Sequence, residues 1–250
     1  FDPPEDFVAS ALIQDLSAHE AAERDPVGWW AEQARALDWF EPWEHALEDE
    51  DAPFYRWFSG GKLNVSHNCL DRHVAAGLGD RVALHWHGEE GESRAITYAQ
   101  LLADVQRCAN ALKARGIGPG DVVGIYLPMI PEVVVAMLAC TRIGAPHNVV
   151  FGGFSSEALA DRINDSDAKL VITADGGFRR GKASGLKVNV DAALEHTPSV
   201  EHVLVVERTK QDVEMAEGRD IWWHDLVPRQ ADWCEPERME SEDMLYLLYT

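Results

Sequence analysis

From about residue 81 the chain alternates short apolar runs with amphipathic ones, and this restricts its fold more than any other feature. RVALHWH reads as a strand, ITYAQLLADVQRCANALKARG as a long helix capped by Thr97 and stopped by Gly116, and GDVVGIYLP as a second strand. PEVVVAMLACTRIG then predicts a helix that opens on proline and closes at Gly144, HNVVF a short strand, SSEALADRINDS a helix capped by Ser155, and AKLVITA another strand. VNVDAALEHT, VEHVLVVER and IWWHDLV continue the pattern. A helix between successive strands returns the chain to the same edge of the sheet, so the expected class is α/β, a mainly parallel sheet flanked by helices.

Residues 1–80 read as an N-terminal helical wrap and residues 81–250 as the α/β portion. Within the wrap, PVGWWAEQARALDWFEPW predicts one amphipathic helix from near Pro26 to just before Pro42. Its aromatic residues Trp29, Trp30, Trp39, Phe40 and Trp43 are assigned to packing. TKQDVEMAEGRD (209–220) is the expected surface loop. EDMLYLLYT is an apolar strand that stops without a turn, a cap or a polar tail, and the first residue is Phe, which suggests a trimmed chain.

Acidic residues outnumber basic ones 43 to 22, a formal net charge of −21 that argues against nucleic acid and anionic membrane as partners. The 4 cysteines are dispersed, without metal-ligand or disulfide-framework spacing, and fit reduced thiols in a cytoplasmic protein. The apolar run VVVAMLAC is too short to span a bilayer, and FDPPEDFVAS is no export signal. None of the 10 histidines stands at metal-ligand spacing, and His85, His87, His67 and His147 are assigned structural roles.

Against this acidic background GGFRRGK (176–182) is conspicuous. Two readings stand: a solvated turn, or an anion site in which glycine admits a phosphate close to main-chain N–H groups while Arg and Lys neutralise it. VVFGGFS (149–155) joins a predicted strand to a helix, where ligands bind in open α/β sheets, although a tight turn needing glycine for steric reasons would look the same. If the two preceding strands are parallel neighbours, both glycine pairs open on one side of the sheet. A phosphorylated, partly aromatic ligand such as a nucleotide or a coenzyme suits that pairing.

WFEPWEHALEDEDAPFYRWFSGGKLNVSHNCLDRHV, IYLPMIPEVVVAMLACTRIGAPHNVVFGGFSSEALADRI, ITADGGFRRGK and GRDIWWHDLV closely resemble the N-terminal part of the AMP-forming acetyl-coenzyme A synthetases, within the acyl-adenylate-forming superfamily. The resemblance runs from about residue 27 to residue 250. It implies an acetate–CoA ligase: acetate attacks the α-phosphate of ATP with Mg2+ present, giving acetyl-adenylate and diphosphate, and the thiol of coenzyme A (CoA) then displaces AMP. It also implies that Phe151, Gly152 and Gly153, with Arg179, Arg180 and Lys182, belong to the CoA site around its adenine and 3′-phosphate. The family carries Arg or Lys at the position of Lys182 and varies at that of Arg180.

In the family the phosphate loop, acyl pocket, catalytic lysine and mobile C-terminal domain all follow the strand like LYLLYT. The catalytic residues are therefore expected beyond Thr250, and the 250 residues alone are expected to be inactive and prone to self-association through an open sheet edge. A propionyl-CoA or other short-chain acyl-CoA ligase is the alternative, since the residues that size the acyl pocket lie downstream. A non-catalytic CoA- or nucleotide-binding module is the other.

Overall fold

The computed structural model describes residues 2–249; Phe1, on which the sequence opens, and Thr250, the end of the expected final strand, lie outside them. The chain forms two compact units, residues 1–63 with 240–242 and residues 64–239 with 243–250. Residues 64–80, placed with the wrap on sequence, group with the second.

The first unit holds α1 (Glu5–Ser10), α2 (Ser17–Arg24), α3 (Pro26–Ala34), β1 (His45–Glu48), β2 (Arg56–Ser59) and β3 (Lys62–Leu63). The Asp25 carboxylate caps α3 by accepting from the Gly28 N–H. The single helix expected up to Pro42 ends instead at Ala34. The Trp39 indole N–H donates to the Ala34 carbonyl at 2.8 Å, and the N–H groups of Phe40 and Glu41 both go to the Lys62 carbonyl, which draws the chain away from the helix axis. The Trp39 and Trp43 rings meet at 4.9 Å and Trp43 and Phe58 at 5.4 Å, the packing role expected of Trp39 and Trp43.

The second unit opens with two π-helical turns, His67–Asp71 and Val74–Leu78. An antiparallel pair follows, β4 (Val82–His87) with β5 (Ser93–Thr97), of which only the first strand was expected. Ile96, read within the long helix, belongs to β5, which ends at Thr97, the residue read as the helix cap. α4 (Tyr98–Lys113) then begins in a capping box: Thr97 Oγ1 accepts from the Gln100 N–H and Gln100 Oε1 from the Thr97 N–H.

The remaining elements are β6 (Val123–Tyr126), α5 (Pro131–Arg142), β7 (His147–Val149), α6 (Ser156–Ser166), β8 (Leu170–Ala174), β9 (Gly176–Arg179), β10 (Lys182–Gly185), α7 (Lys187–Leu194), β11 (His202–Val206), β12 (Asp220–Trp222), α8 (Trp223–Leu226), β13 (Met239–Glu240) and β14 (Tyr246–Leu247). Six strands form one parallel sheet in the order β12-β11-β8-β6-β7-β14. Along each central strand alternate residues enter opposite core layers. Ile125, Ile172 and Leu204 pack on the side of α4 and α5, while Tyr126, Val171 and Val203 pack on the side of α6 and α7. Burial on both faces is why these strands read as unbroken apolar runs.

Two expectations are corrected here. β7 and β8 are parallel but not neighbours, because β6 lies between them. IWWHDLV, read only as continuing the alternation, is strand to Trp222 and then α8. The terminal strand is two residues long, and Met244 and Leu248 beside it stay exposed. Residues 209–216, within the expected loop, carry no helix or strand, as predicted. No described helix is long and apolar enough to cross a membrane.

His147 on β7 is 3% exposed, its Nδ1 has no hydrogen-bond partner, and burial lowers its pKa from 6.5 to about 4. The folded state therefore refuses a proton that the unfolded chain accepts below pH 6.5, so stability held at neutral pH is lost as pH falls towards 4. Between pH 7 and 5 this group should cost about 2 kcal/mol of unfolding free energy. Urea midpoints at the two pH values should show that loss shrinking in a His147→Asn chain; equal losses would remove His147 as the cause.

Candidate functional site

In an open parallel sheet the carboxyl ends of the strands form the natural crevice, because the loops leaving them diverge there. Here the segments leaving β6, β7, β8 and β11, with the β4–β5 tip, enclose a cleft of about 540 Å³. Its apolar wall is unusually open to solvent: Phe151 is 57% and Met129 82% exposed. A ligand with an aromatic or aliphatic face would bury it.

The segment after β7 carries Phe151, Gly152, Gly153 and Phe154. The Tyr126 hydroxyl fixes it by donating to the Phe154 carbonyl at 2.8 Å, with the Gly152 carbonyl 3.3 Å away, while accepting from the Asn189 amide. Burial pushes the Tyr126 phenol above its ordinary pKa, partly opposed by the Asn189 bond, so it stays a donor. Gly153 is glycine for a local reason. A Cβ there would come within 2.6 Å of both the Phe151 ring and the Arg179 guanidinium. Its absence lets that guanidinium lie 5.4 Å from the Phe151 ring centroid.

The cationic segment, read from the sequence as a turn after a strand, is an antiparallel hairpin of β9 and β10. Arg180 and Gly181 form its two-residue loop, both with positive φ (53° and 70°), the geometry that matches strand twist in tight hairpins. Arg179 is the direct partner of Lys182, and Gly177 of Ser184, so these four share one face of the hairpin. Arg179, Gly177 and Ser184 line the cleft; Arg180 and Lys182 are exposed and do not line it. The structure thus brings together Phe151, Gly152, Gly153 and Arg179 of the six expected residues and leaves Arg180 and Lys182 outside.

Sequence reasoning missed Arg208, which leaves the end of β11. Its guanidinium lies 4.8 Å from the Phe178 ring centroid and 5.3 Å from that of Trp86, and it pairs with Glu92 at 2.7 Å. The Arg208 hydrogen bond holds the Glu92 carboxyl below its ordinary pKa. The Trp86 indole donates to the Met129 carbonyl at 2.8 Å, joining the β4–β5 hairpin to the cleft floor. The strand-end rule that singled out FGGF applies equally to VLVVER and would have found Arg208.

Behind the cleft the buried Asp175 carboxylate accepts from the N–H groups of Gly176, Arg208, Thr209 and Gln211 at 2.7 to 3.1 Å. It ties the base of the cationic hairpin to the segment carrying Arg208. No described group of three or more His, Cys, Asp or Glu residues is arranged to hold a metal ion.

Residues 71–250 match the family model of the AMP-binding enzymes, and residues 16–69 that of the acetyl-coenzyme A synthetase N-terminus. The chain is 54% identical over 251 residues to the acetyl-coenzyme A synthetase of Rubrobacter xylanophilus, 56% over 250 to that of Streptomyces avermitilis and 52% over 253 to that of Mycobacterium tuberculosis. Each alignment takes in 100% of this chain but 39%, 38% and 39% of these relatives, so the chain spans about two-fifths of their length.

Proposed function

The chain belongs to the AMP-binding enzyme family, and on that premise we propose that it contributes part of the CoA site of an AMP-forming acetate–CoA ligase. The relatives' names supply the reaction. The observation that carries the site is the stacking of Arg179 on Phe151 across Gly153, in a cleft at the strand ends with an exposed apolar wall. In this reading the adenine of CoA covers Phe151 and Met129, and its 3′-phosphate meets Arg179. Lys182 adds charge from the same hairpin face and Arg180 from the turn. Acetate and ATP with Mg2+ complete the proposed substrates. These residues bind and orient CoA, and no step through the metal is assigned to them.

The test uses the intact protein and two ligands, CoA and dephospho-CoA. Arg179→Ala should weaken CoA by about 1.5 to 3 kcal/mol, the range for a hydrogen bond to a charged group, and should erase most of the preference for CoA over dephospho-CoA. If the mutant keeps that preference, GGFRRGK is a solvated turn and the assignment is wrong.

A further inference from the structure

The loop between β4 and β5 carries Glu89, whose Oε1 accepts a hydrogen bond from the Gly181 N–H at 2.5 Å. Gly181 stands in the hairpin turn with Arg179 and Arg180 before it and Lys182 after it. A main-chain N–H set among cations is an arrangement that receives a phosphate oxygen. Here a carboxylate of the chain itself receives it.

Among the described residues, none of these three cations has a carboxylate within ion-pair distance, in a chain with 43 acidic residues and a formal charge of −21. Glu89 therefore contacts the turn's N–H without neutralising its side chains. The loop does not depend on that contact, since Glu92 pairs with Arg208 and the Trp86 indole reaches Met129. Glu89 is exposed and also lines the cleft.

We propose that Glu89 is a specificity-determining residue that occupies the anion position at Gly181 and must leave it when a phosphorylated ligand binds. The inference rests on the CoA reading above. A ligand bearing a phosphate beside Arg179 and Lys182 recovers the cost of displacing Glu89, because it replaces one N–H acceptor with another and neutralises the cations as well. A ligand without that phosphate leaves Glu89 in place and gains nothing from the turn. Glu89 thereby lowers the affinity for the phosphorylated coenzyme and narrows its advantage over the dephosphorylated one, which need not displace it.

Glu89→Gln keeps an amide oxygen for the Gly181 N–H but removes the charge, whereas Glu89→Ala removes both. Calorimetric titration of the intact protein with CoA should show both variants binding about three- to tenfold tighter than the wild type, from relief of like-charge repulsion at a partly solvated site. High salt should shrink the gain, and dephospho-CoA should show little of it. Wild-type affinity in Glu89→Gln with weaker binding in Glu89→Ala would identify a structural tether and overturn the proposal. An equal gain for both coenzymes would overturn it too. A wild-type protein that binds neither coenzyme would overturn the cleft assignment itself, which separates the two failures.

Discussion

An Arg142→Ala chain should unfold with about 3 to 5 kcal/mol less free energy than the native chain, the range for breaking a buried charge pair from one side. Arg142 ends α5 fully buried. Its guanidinium bonds both Asp71 carboxylate oxygens at 2.8 and 2.9 Å, and its Nε donates to the Cys234 carbonyl at 2.6 Å. Ser66 Oγ lies 3.3 Å from the same group. One side chain thereby fastens the first π-helical turn and the segment around Cys234 to the end of α5. Alanine leaves the part-buried Asp71 carboxylate and the Cys234 carbonyl together without their partner. The loss should be read from urea midpoints, and the Asp71→Leu, Arg142→Met double variant should recover part of it, because the cost lies in the orphaned partner rather than in the absent pair. A loss below about 1 kcal/mol in Arg142→Ala would show that the buried network relaxes or hydrates at little cost.

Nothing in PEVVVAMLACTRIG marks Arg142 as different from any basic residue in the last turn of a helix, where a charge at the negative end is ordinary. Its partners are 71 and 92 residues away in sequence, and no local pattern reaches that far. The parallel sheet was legible for the opposite reason. β6, β8 and β11 bury both faces, so each is an unbroken apolar run between helices whose caps, Thr97 and Ser155, are spelled out locally. Elements shaped by a side chain or strand from elsewhere were misread. The Trp39 indole ends α3 early, and the pairing of β5 with β4 takes Ile96 from the helix. The two-residue loop of the cationic hairpin was hidden because it places an arginine at φ 53°, a position where glycine, asparagine or aspartate is the usual signal.

The same contrast governs the site. Phe151, Gly152, Gly153 and Arg179 were singled out because each glycine pair follows a predicted strand, where ligands bind in open α/β sheets. Arg208 and Glu89 acquire meaning only from what faces them. Arg208 is held between Phe178 and Trp86, and Glu89 is set against the Gly181 N–H. An isolated charge in a sequence specifies no partner, and in this acidic chain a single glutamate carries almost no information.

Asp175→Ala should lower stability by a comparable amount, about 3 to 5 kcal/mol, and should disturb the cleft as well, because four N–H donors, one buried and three part-buried, lose a charged acceptor. Oδ1 takes the N–H groups of Gly176, Arg208 and Thr209, and Oδ2 takes those of Thr209 and Gln211. The Asp175 backbone carbonyl meanwhile accepts from Leu186 and Lys187, and its own N–H goes to Val206. One residue thus joins the end of β8, the start of the cationic hairpin, the start of α7 and the exit from β11. Asp175→Asn separates charge and donor count from size. Its amide nitrogen must face some of those N–H groups, so about half of the loss should appear while the chain still folds. Because Arg179 and Arg208 hang from the two segments that Asp175 ties together, Asp175→Asn should also weaken CoA in the intact protein, by roughly threefold to tenfold, through misplacement of groups it does not itself contact. Reduced stability with unchanged CoA affinity would mean that Asp175 holds the fold and leaves the cleft geometry to other contacts.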